Sequence, residues 1–144
     1  MAGIERQTTV NAAAAKVFEY VSDISRHPEW AAHKLEVEKT SDGPIAVGST
    51  FSAVGHEMGT HRAQVKIAEL VPNSKVVYEA EDDTGHFRHY FQLQEENGAT
   101  RVTKGIEPLK LSLMFKLLSP IALTFMVPRG LDGDLKRIKA KLEG

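Results

Sequence analysis

Apolar and polar side chains alternate along most of the chain between residues 33 and 106. In the segment 61–70, for example, His61, Ala63 and Val65 alternate with polar or charged residues. Successive side chains of a strand point to opposite faces, so this pattern predicts antiparallel strands with one buried and one solvated face. The predicted strands are 4–10, 33–39, 49–56, 61–70, 76–81, 87–94 and 100–106.

Two short helices are predicted after the first strand. Asn11 favours a helix N-cap, and the alanine-rich run behind it favours a helix. Asp23 or Ser25 can cap a second helix, which should end near His27 because Pro28 disfavours helical geometry in the residue before it.

A longer helix is predicted at the end of the chain. Ser119 and Pro120 have the residue types of a helix start, so a break is expected there, and Pro128 is expected to kink the helix. The remaining helix carries an apolar stripe with helical spacing, formed by Leu131, Leu135, Ile138 and Leu142.

This order of elements predicts a single α+β domain over residues 1–144. The predicted sheet has about six to seven antiparallel strands, and its apolar face must be covered by another element. The C-terminal helix is the long element that remains to cover it. Because strands twist, such a sheet should curve around that helix in a helix-grip arrangement. We expect an apolar, ligand-sized cavity between the sheet and the helix.

Composition and charge disfavour several classes of function. Eighteen Lys and Arg against nineteen Asp and Glu give a net charge of −1, which disfavours nucleic acid as a partner. The chain has no cysteine, so thiolate chemistry is excluded. The N-terminal residues lack the apolar core of a signal peptide, and a cytoplasmic protein is expected.

Several local motifs point to a known family. They are VFEYVSD at 17–23, HPEW at 27–30, VGSTF at 47–51, NGATRVT at 97–103 and DLKRIKAKLE at 134–143. With this element order, the chain resembles the polyketide cyclase/dehydrase-like branch of the START-like (Bet v 1-like, SRPBCC) superfamily. The resemblance implies a helix-grip fold with an apolar pocket. Its members include aromatase/cyclases as well as lipid, sterol and quinone binders, so it does not fix the chemistry.

Three polar residues on predicted dry faces are the candidates for chemistry: His61, His89 and Lys104. The histidines are either hydrogen-bonded core residues or groups that orient a ligand carbonyl or hydroxyl. Lys104 lies between the inward Val102 and Ile106. It must reach solvent, pair with a carboxylate or point into the cavity, where it could anchor a ligand. The resemblance implies an aromatic residue at position 104, so the lysine departs from the family pattern.

The other expected ligand-binding residues are apolar or aromatic, and each has a role in the core as its alternative. On the sheet side they are Trp30, Phe51, Val65, Tyr78, Phe87, Phe91 and Ile106. The segment 109–127 is apolar on more than one helix face, which indicates a cavity lining, a dimer contact or a gate that touches a membrane; the first is favoured. Its expected lining residues are Met114, Leu117, Leu118, Ile121 and Phe125.

Three functions are compatible with these features. The favoured one is binding, transport or sequestration of a hydrophobic small molecule such as a lipid, quinone, sterol or polyketide. The alternatives are a cyclase, dehydratase or aromatase that uses His61, His89 or Lys104, and a protein-interaction module, including one of toxin–antitoxin type. No cofactor or metal is expected. Lys110 and Lys116 disfavour a membrane span, transient membrane contact stays open, and a monomer or homodimer is expected.

Overall fold

A seven-stranded antiparallel sheet forms the body of the protein in the part of the chain that the structure covers. The computed structural model describes residues 3–31, 34–56 and 60–144, except for the side chains of 118, 119, 122 and 123. The strand order is β1-β7-β6-β5-β4-β3-β2. The strands are β1 (Ile4–Val10), β2 (Leu35–Lys39), β3 (Thr50–Gly55), β4 (His61–Val71), β5 (Lys75–Asp82), β6 (Gly85–Glu96) and β7 (Ala99–Leu111).

The helices lie in two groups along the chain. Helix α1 (Ala14–Ser22) and a 3₁₀ helix (Ile24–Glu29) follow β1, as predicted. Helix α2 (Leu113–Ile121), a π-helical turn (Ala122–Met126) and helix α3 (Val127–Glu143) follow β7 in direct succession. Among the described residues, no helix is both long enough and apolar enough to cross a membrane.

Helix α3 packs its apolar stripe against the inner face of the sheet. Leu135, Ile138 and Leu142 belong to the same buried cluster as Phe51, Phe91 and other inward strand residues. The alternating strands and the helical stripe therefore meet as the sequence predicts. The curved antiparallel sheet with its C-terminal helix confirms the predicted helix-grip fold class.

The structure tests two predictions about the starts and ends of the short helices, and a third prediction falls outside the residues that it describes. Helix α1 begins after Ala13, and Asn11 does not cap it; the Glu95 carboxylate of β6 instead accepts the N–H of Ala14 at 2.6 Å. Asp23 caps the 3₁₀ helix as predicted, but that helix runs past His27 to Glu29. The tight turn expected at Met58 and Gly59 lies outside the described residues.

Two further corrections concern the C-terminal half. Strand β7 continues to Leu111, beyond the predicted end at 106, because a register shift opposite His86 and Phe87 accommodates Pro108. The helical break expected at Ser119 and Pro120 is displaced: Pro120 lies within α2, and the π-helical turn follows it, just before Pro128 in the first turn of α3. Prolines and single π-helical turns are both known causes of irregularity in helices.

Burial changes along the inner face of the sheet. Directly paired residues form rows across the strands, and the row with Val76, Phe91 and Lys104 is buried. Further along the strands, Ala80 and Phe87 are only half-buried. The inner face is therefore fully buried at one end and looser, with half-buried side chains, at the end nearest α2, where the Phe115 ring meets the Phe87 ring edge-on, with centroids 5.9 Å apart.

Candidate functional site

A buried ion pair lies between the inner face of the sheet and helix α3. Lys104 of β7 is only 3% exposed, and its Nζ lies 3.5 Å from Oδ2 of Asp134. The same Nζ lies 5.5 Å from the ring centroid of Trp30 and 5.6 Å from that of Phe91. Lys104 thus takes the inward orientation, paired with a carboxylate and flanked by two aromatic faces.

Arg137 holds this arrangement from the helix side. Its Nη2 lies 3.1 Å from Oδ1 of Asp134, and its Nε donates a 2.7 Å hydrogen bond to the carbonyl oxygen of Trp30. Asp134 is therefore shared between two cations, one buried and one half-exposed. The contacts link β7, α3 and the end of the 3₁₀ helix at one place.

Tyr78 and His89 form the second part of the cluster. They are direct partners in the pairing of β5 with β6, so their side chains project from the same face of the sheet. Their rings stack with centroids 4.9 Å apart and an angle of 6° between the planes. His89 is also paired with Ile106, two residues from Lys104 along β7.

Three buried polar atoms of this region have no hydrogen-bond partner among the described residues. They are Trp30 Nε1, Tyr78 OH and His89 Nδ1. An unsatisfied buried polar group costs roughly 1–3 kcal/mol, and such groups are uncommon in native proteins. All three residues were predicted from the sequence to bind ligand, which makes the cluster the candidate site.

Burial sets the protonation states of the cluster. It lowers the pKa of His89 well below 6.5, and the positive charges of Lys104 and His27 act in the same direction. Burial also lowers the pKa of Lys104, whereas Asp134 opposes that change. Burial raises the pKa of Tyr78, with a further contribution from Asp134. His89 is therefore neutral and Tyr78 protonated at neutral pH.

These states supply both hydrogen-bond donors and acceptors. A neutral imidazole donates from one ring nitrogen and accepts at the other, the Tyr78 hydroxyl does both, and the Trp30 indole donates only. The cluster can therefore bind a carbonyl or hydroxyl oxygen. An anion is less suitable because Asp134 already neutralises Lys104.

His61 lies apart from this cluster. It starts β4, six residues along the strand from Ile67, which pairs with Tyr78. At about 3.3 Å per residue, that separation is roughly 20 Å. Its side chain is 36% exposed, with Nδ1 3.1 Å from Oδ1 of Asp83 in the turn between β5 and β6. The structure therefore places His61 at the rim of the sheet.

The other predicted ligand-binding residues fall into two groups. Phe51, Val65 and Phe91 are buried core residues, whereas Phe87 and Ile106 are half-buried at the looser end. The side chains of α2 and the π-helical turn that were expected to line the cavity instead face outward and are 57–77% exposed: Met114, Leu117, Ile121 and Phe125. The side chain of Leu118 lies outside the described part of the structure.

Sequence reasoning missed Asp134, Arg137 and the inward role of Phe115. A signal for Asp134 exists, because it falls three residues after Leu131 and four before Ile138, on the buried stripe of α3. A carboxylate at such a position requires a partner, and the unexplained Lys104 is the obvious candidate.

A cleft of about 690 Å³ lies on the opposite, outer face of the sheet. There, His86 Nε2 lies 2.9 Å from Oε1 of Glu79. The residues that line the cleft include Val47, Gln64, Lys66, Glu79, Glu81 and His86. This cleft is separate from the buried cluster. The three unpaired atoms have almost no accessible surface, so a ligand reaches them only when side chains at the looser end move.

Solved structures with the same fold cover the whole chain. An aromatase/cyclase, Zhui, from Streptomyces sp. R1128 has a TM-score of 0.78 at 14% identity, over 99% of this chain and 93% of that one. The protein TTHA0849 from Thermus thermophilus has a TM-score of 0.79 at 14% identity, covering 99% and 97%. A START superfamily protein from Mycobacterium smegmatis has a TM-score of 0.72 at 12% identity, covering 98% and 97%.

Sequence comparison gives the family. No protein of curated function matches the chain. The family model described as "Polyketide cyclase / dehydrase and lipid transport" matches residues 1–143. Since this match spans nearly the entire sequence, the chain belongs to the polyketide cyclase/dehydrase and lipid transport family.

Proposed function

We propose that the protein binds a hydrophobic small molecule carrying a neutral oxygen function, such as a ketone, quinone or phenol. The observation that carries this proposal is the set of three unpaired, buried polar atoms on Trp30, Tyr78 and His89, next to the buried Lys104. A ligand oxygen among them would satisfy groups that the fold leaves without partners.

The ligand's apolar body would lie toward the looser end of the interior. Ala80, Phe87 and Ile106 are half-buried there, and Phe115 of α2 covers Phe87. Burying about 300 Å² of apolar ligand surface is worth up to about 7.5 kcal/mol at about 25 cal/mol per Å². Association itself costs several kcal/mol, so we expect micromolar affinity, improved by each hydrogen bond to the cluster.

The ion pair makes the site selective for neutral oxygens. A carboxylate placed near Lys104 would also approach Asp134, which is already shared with Arg137. A carbonyl accepts hydrogen bonds from the cluster without adding negative charge beside that carboxylate. Quinones, ketones and phenols should therefore bind more tightly than fatty acids of equal size.

Trp30 provides a direct test because it is the sole tryptophan of the chain. Its fluorescence should be quenched by an added naphthoquinone or anthraquinone, and a saturated fatty acid should leave it nearly unchanged. Tyr78→Phe and His89→Phe should each weaken quinone binding several-fold, whereas Tyr20→Phe, which alters a hydroxyl bonded to Glu29, should not. If no quinone, ketone or phenol is bound, or if the cluster variants bind as wild type does, the proposal is wrong.

A second function, ring closure of a flexible polyketone, is favoured by the contact of a neutral His89 with Tyr78. His89 would accept a proton from the carbon between two carbonyls, and Tyr78 would donate one to the alkoxide formed when that carbon attacks another carbonyl. The likeness to the aromatase/cyclase Zhui supports this chemistry. His89→Phe should then abolish turnover of a polyketone substrate. Turnover that survives this change would exclude the role.

A further inference from the structure

Helix α2 and the π-helical turn present a contiguous apolar surface to solvent. Leu113, Leu117, Ile121 and Phe125 follow one another at intervals of four residues, which places them on one side of successive turns. Over these turns the stripe is about 18 Å long at about 1.5 Å per residue. We call this the α2 surface, with all its members 57–79% exposed: Leu113, Met114, Leu117, Ile121, Phe125 and Met126.

The charge around this surface has one sign along the chain. Residues 108–131 contain Lys110, Lys116 and Arg129 and no Asp or Glu. The acidic turn with Asp82 and Asp83 lies at the start of α2, where Ser112 donates its N–H to the carbonyl oxygen of Thr84. Lys110, two residues before Ser112, lies near this acidic turn. The positive charge beside the rest of the apolar stripe is therefore carried mainly by Lys116 and Arg129, which are both exposed.

We propose that the α2 surface docks on anionic phospholipid bilayers. Exposed apolar side chains flanked by cations are typical of helices that lie in the membrane interface, with the apolar side among the acyl chains and the cations at the headgroups. Each Lys or Arg near an anionic surface contributes about 1 kcal/mol. The inference goes beyond ligand binding and does not depend on it.

A second copy of the chain is a poorer occupant of the same surface. In a twofold dimer the two identical surfaces would face each other, so Lys116 and Arg129 of one copy would approach those of the other. Like charges at close range oppose such an interface, whereas anionic headgroups attract them.

The position of the surface links it to the interior. Phe115 lies in α2, and its ring contacts Phe87 at the half-buried end of the inner face. A bilayer bound to the outer side of α2 would therefore lie next to the looser end of the interior. The adjoining π-helical turn replaces regular helical hydrogen bonding just beyond this point.

Site-specific labelling can test the docking, because the chain has no cysteine of its own. Leu117→Cys carrying an environment-sensitive fluorophore should shift its emission to shorter wavelength with vesicles of phosphatidylcholine and phosphatidylglycerol. Val47→Cys is the matched control, an exposed apolar residue in the loop before β3. Its emission should not change. An equal shift at both positions, or none at position 117, would overturn the proposal.

Sedimentation with the same ligand-free vesicles tests the two components separately. Leu117→Ser with Ile121→Ser should reduce bound protein at least about tenfold on anionic vesicles. Lys116→Glu with Arg129→Glu should also reduce the amount of protein bound to anionic vesicles, but it should not change binding to vesicles of phosphatidylcholine alone. Lys66→Glu is the charge control and should have little effect on either. Circular dichroism checks that each variant is folded. Failure of the wild type to sediment at low salt, or a concentration-dependent dimer that Leu117→Ser with Ile121→Ser abolishes, would reject lipid docking.

Discussion

Lys104 and Asp134 lie 3.5 Å apart, Nζ to Oδ2, inside the protein, although one belongs to the last strand and the other to the last helix. The pair joins the two halves of the helix grip at the point where the unpaired polar atoms gather. Asp134 contacts a second cation, Arg137, whereas among the described residues Lys104 forms its ion pair with Asp134. The two members should therefore respond differently to substitution.

Asp134→Asn should be the more damaging change, lowering the free energy of unfolding by on the order of 3 kcal/mol, because it leaves a buried lysine without a counter-charge. Lys104→Met should cost less, since Asp134 keeps Arg137 and an apolar side chain fills the space. Urea unfolding measures both. Asp132→Asn, which alters an exposed pair with Arg6, should stay within about 1 kcal/mol of wild type. Equal losses for the two buried substitutions would contradict the asymmetry.

Tyr78→Phe should leave stability unchanged or increase it by up to about 1–3 kcal/mol, because it removes a buried hydroxyl that has no partner among the described residues. Tyr20→Phe should lower stability by about 1 kcal/mol, because its hydroxyl lies 3.2 Å from the Glu29 carboxylate. Thermal unfolding of the two variants distinguishes these outcomes. A clear destabilisation by Tyr78→Phe would mean that its hydroxyl is already satisfied in the protein.

Acidification should destabilise the protein through His89. Burial holds the pKa of folded His89 well below 6.5, so below about pH 6.5 the unfolded chain binds a proton that the folded chain does not. Stability then falls with decreasing pH, by at most about 1.4 kcal/mol per pH unit from this group. Urea midpoints of wild type and His89→Phe, measured from neutral to mildly acidic pH, should show a steeper fall for wild type. Parallel curves would contradict the assignment.

The start of α1 should depend on a residue far away in sequence. Glu95→Ala removes the carboxylate that accepts the Ala14 N–H and should cost about 1 kcal/mol. Asn11→Ala should have a smaller effect, since the Asn11 contact to Glu143 is made by its backbone N–H, which the variant keeps. Chemical denaturation of both variants gives the comparison, and a larger loss for Asn11→Ala would restore the cap that local sequence suggests.

The orientation of α2 on the sheet could not be predicted from its sequence pattern. Phe115 and Leu117 are equally apolar, yet Phe115 contacts Phe87 while Leu117 is largely exposed. A helix that is apolar on several sides contains no periodic signal for which side faces the sheet. The side that faces the sheet depends on how the helix packs after β7, and this packing reversed the expected role of Met114, Leu117 and Ile121.

The fold class could be predicted from the sequence, because alternation along a strand is a local property of the backbone. The same alternation put Lys104 on a dry strand face, but it left open whether the side chain turns inward or reaches solvent. The sequence also marked Trp30, Tyr78 and His89, all aromatic or imidazole residues placed near apolar ones. Only the tertiary structure paired Lys104 with Asp134, stacked Tyr78 on His89 and placed His61 at the rim. Contacts of this kind between distant segments depend on strand register and on the rotation of α3 about its axis over the sheet. The periodicity of a single segment specifies neither of them.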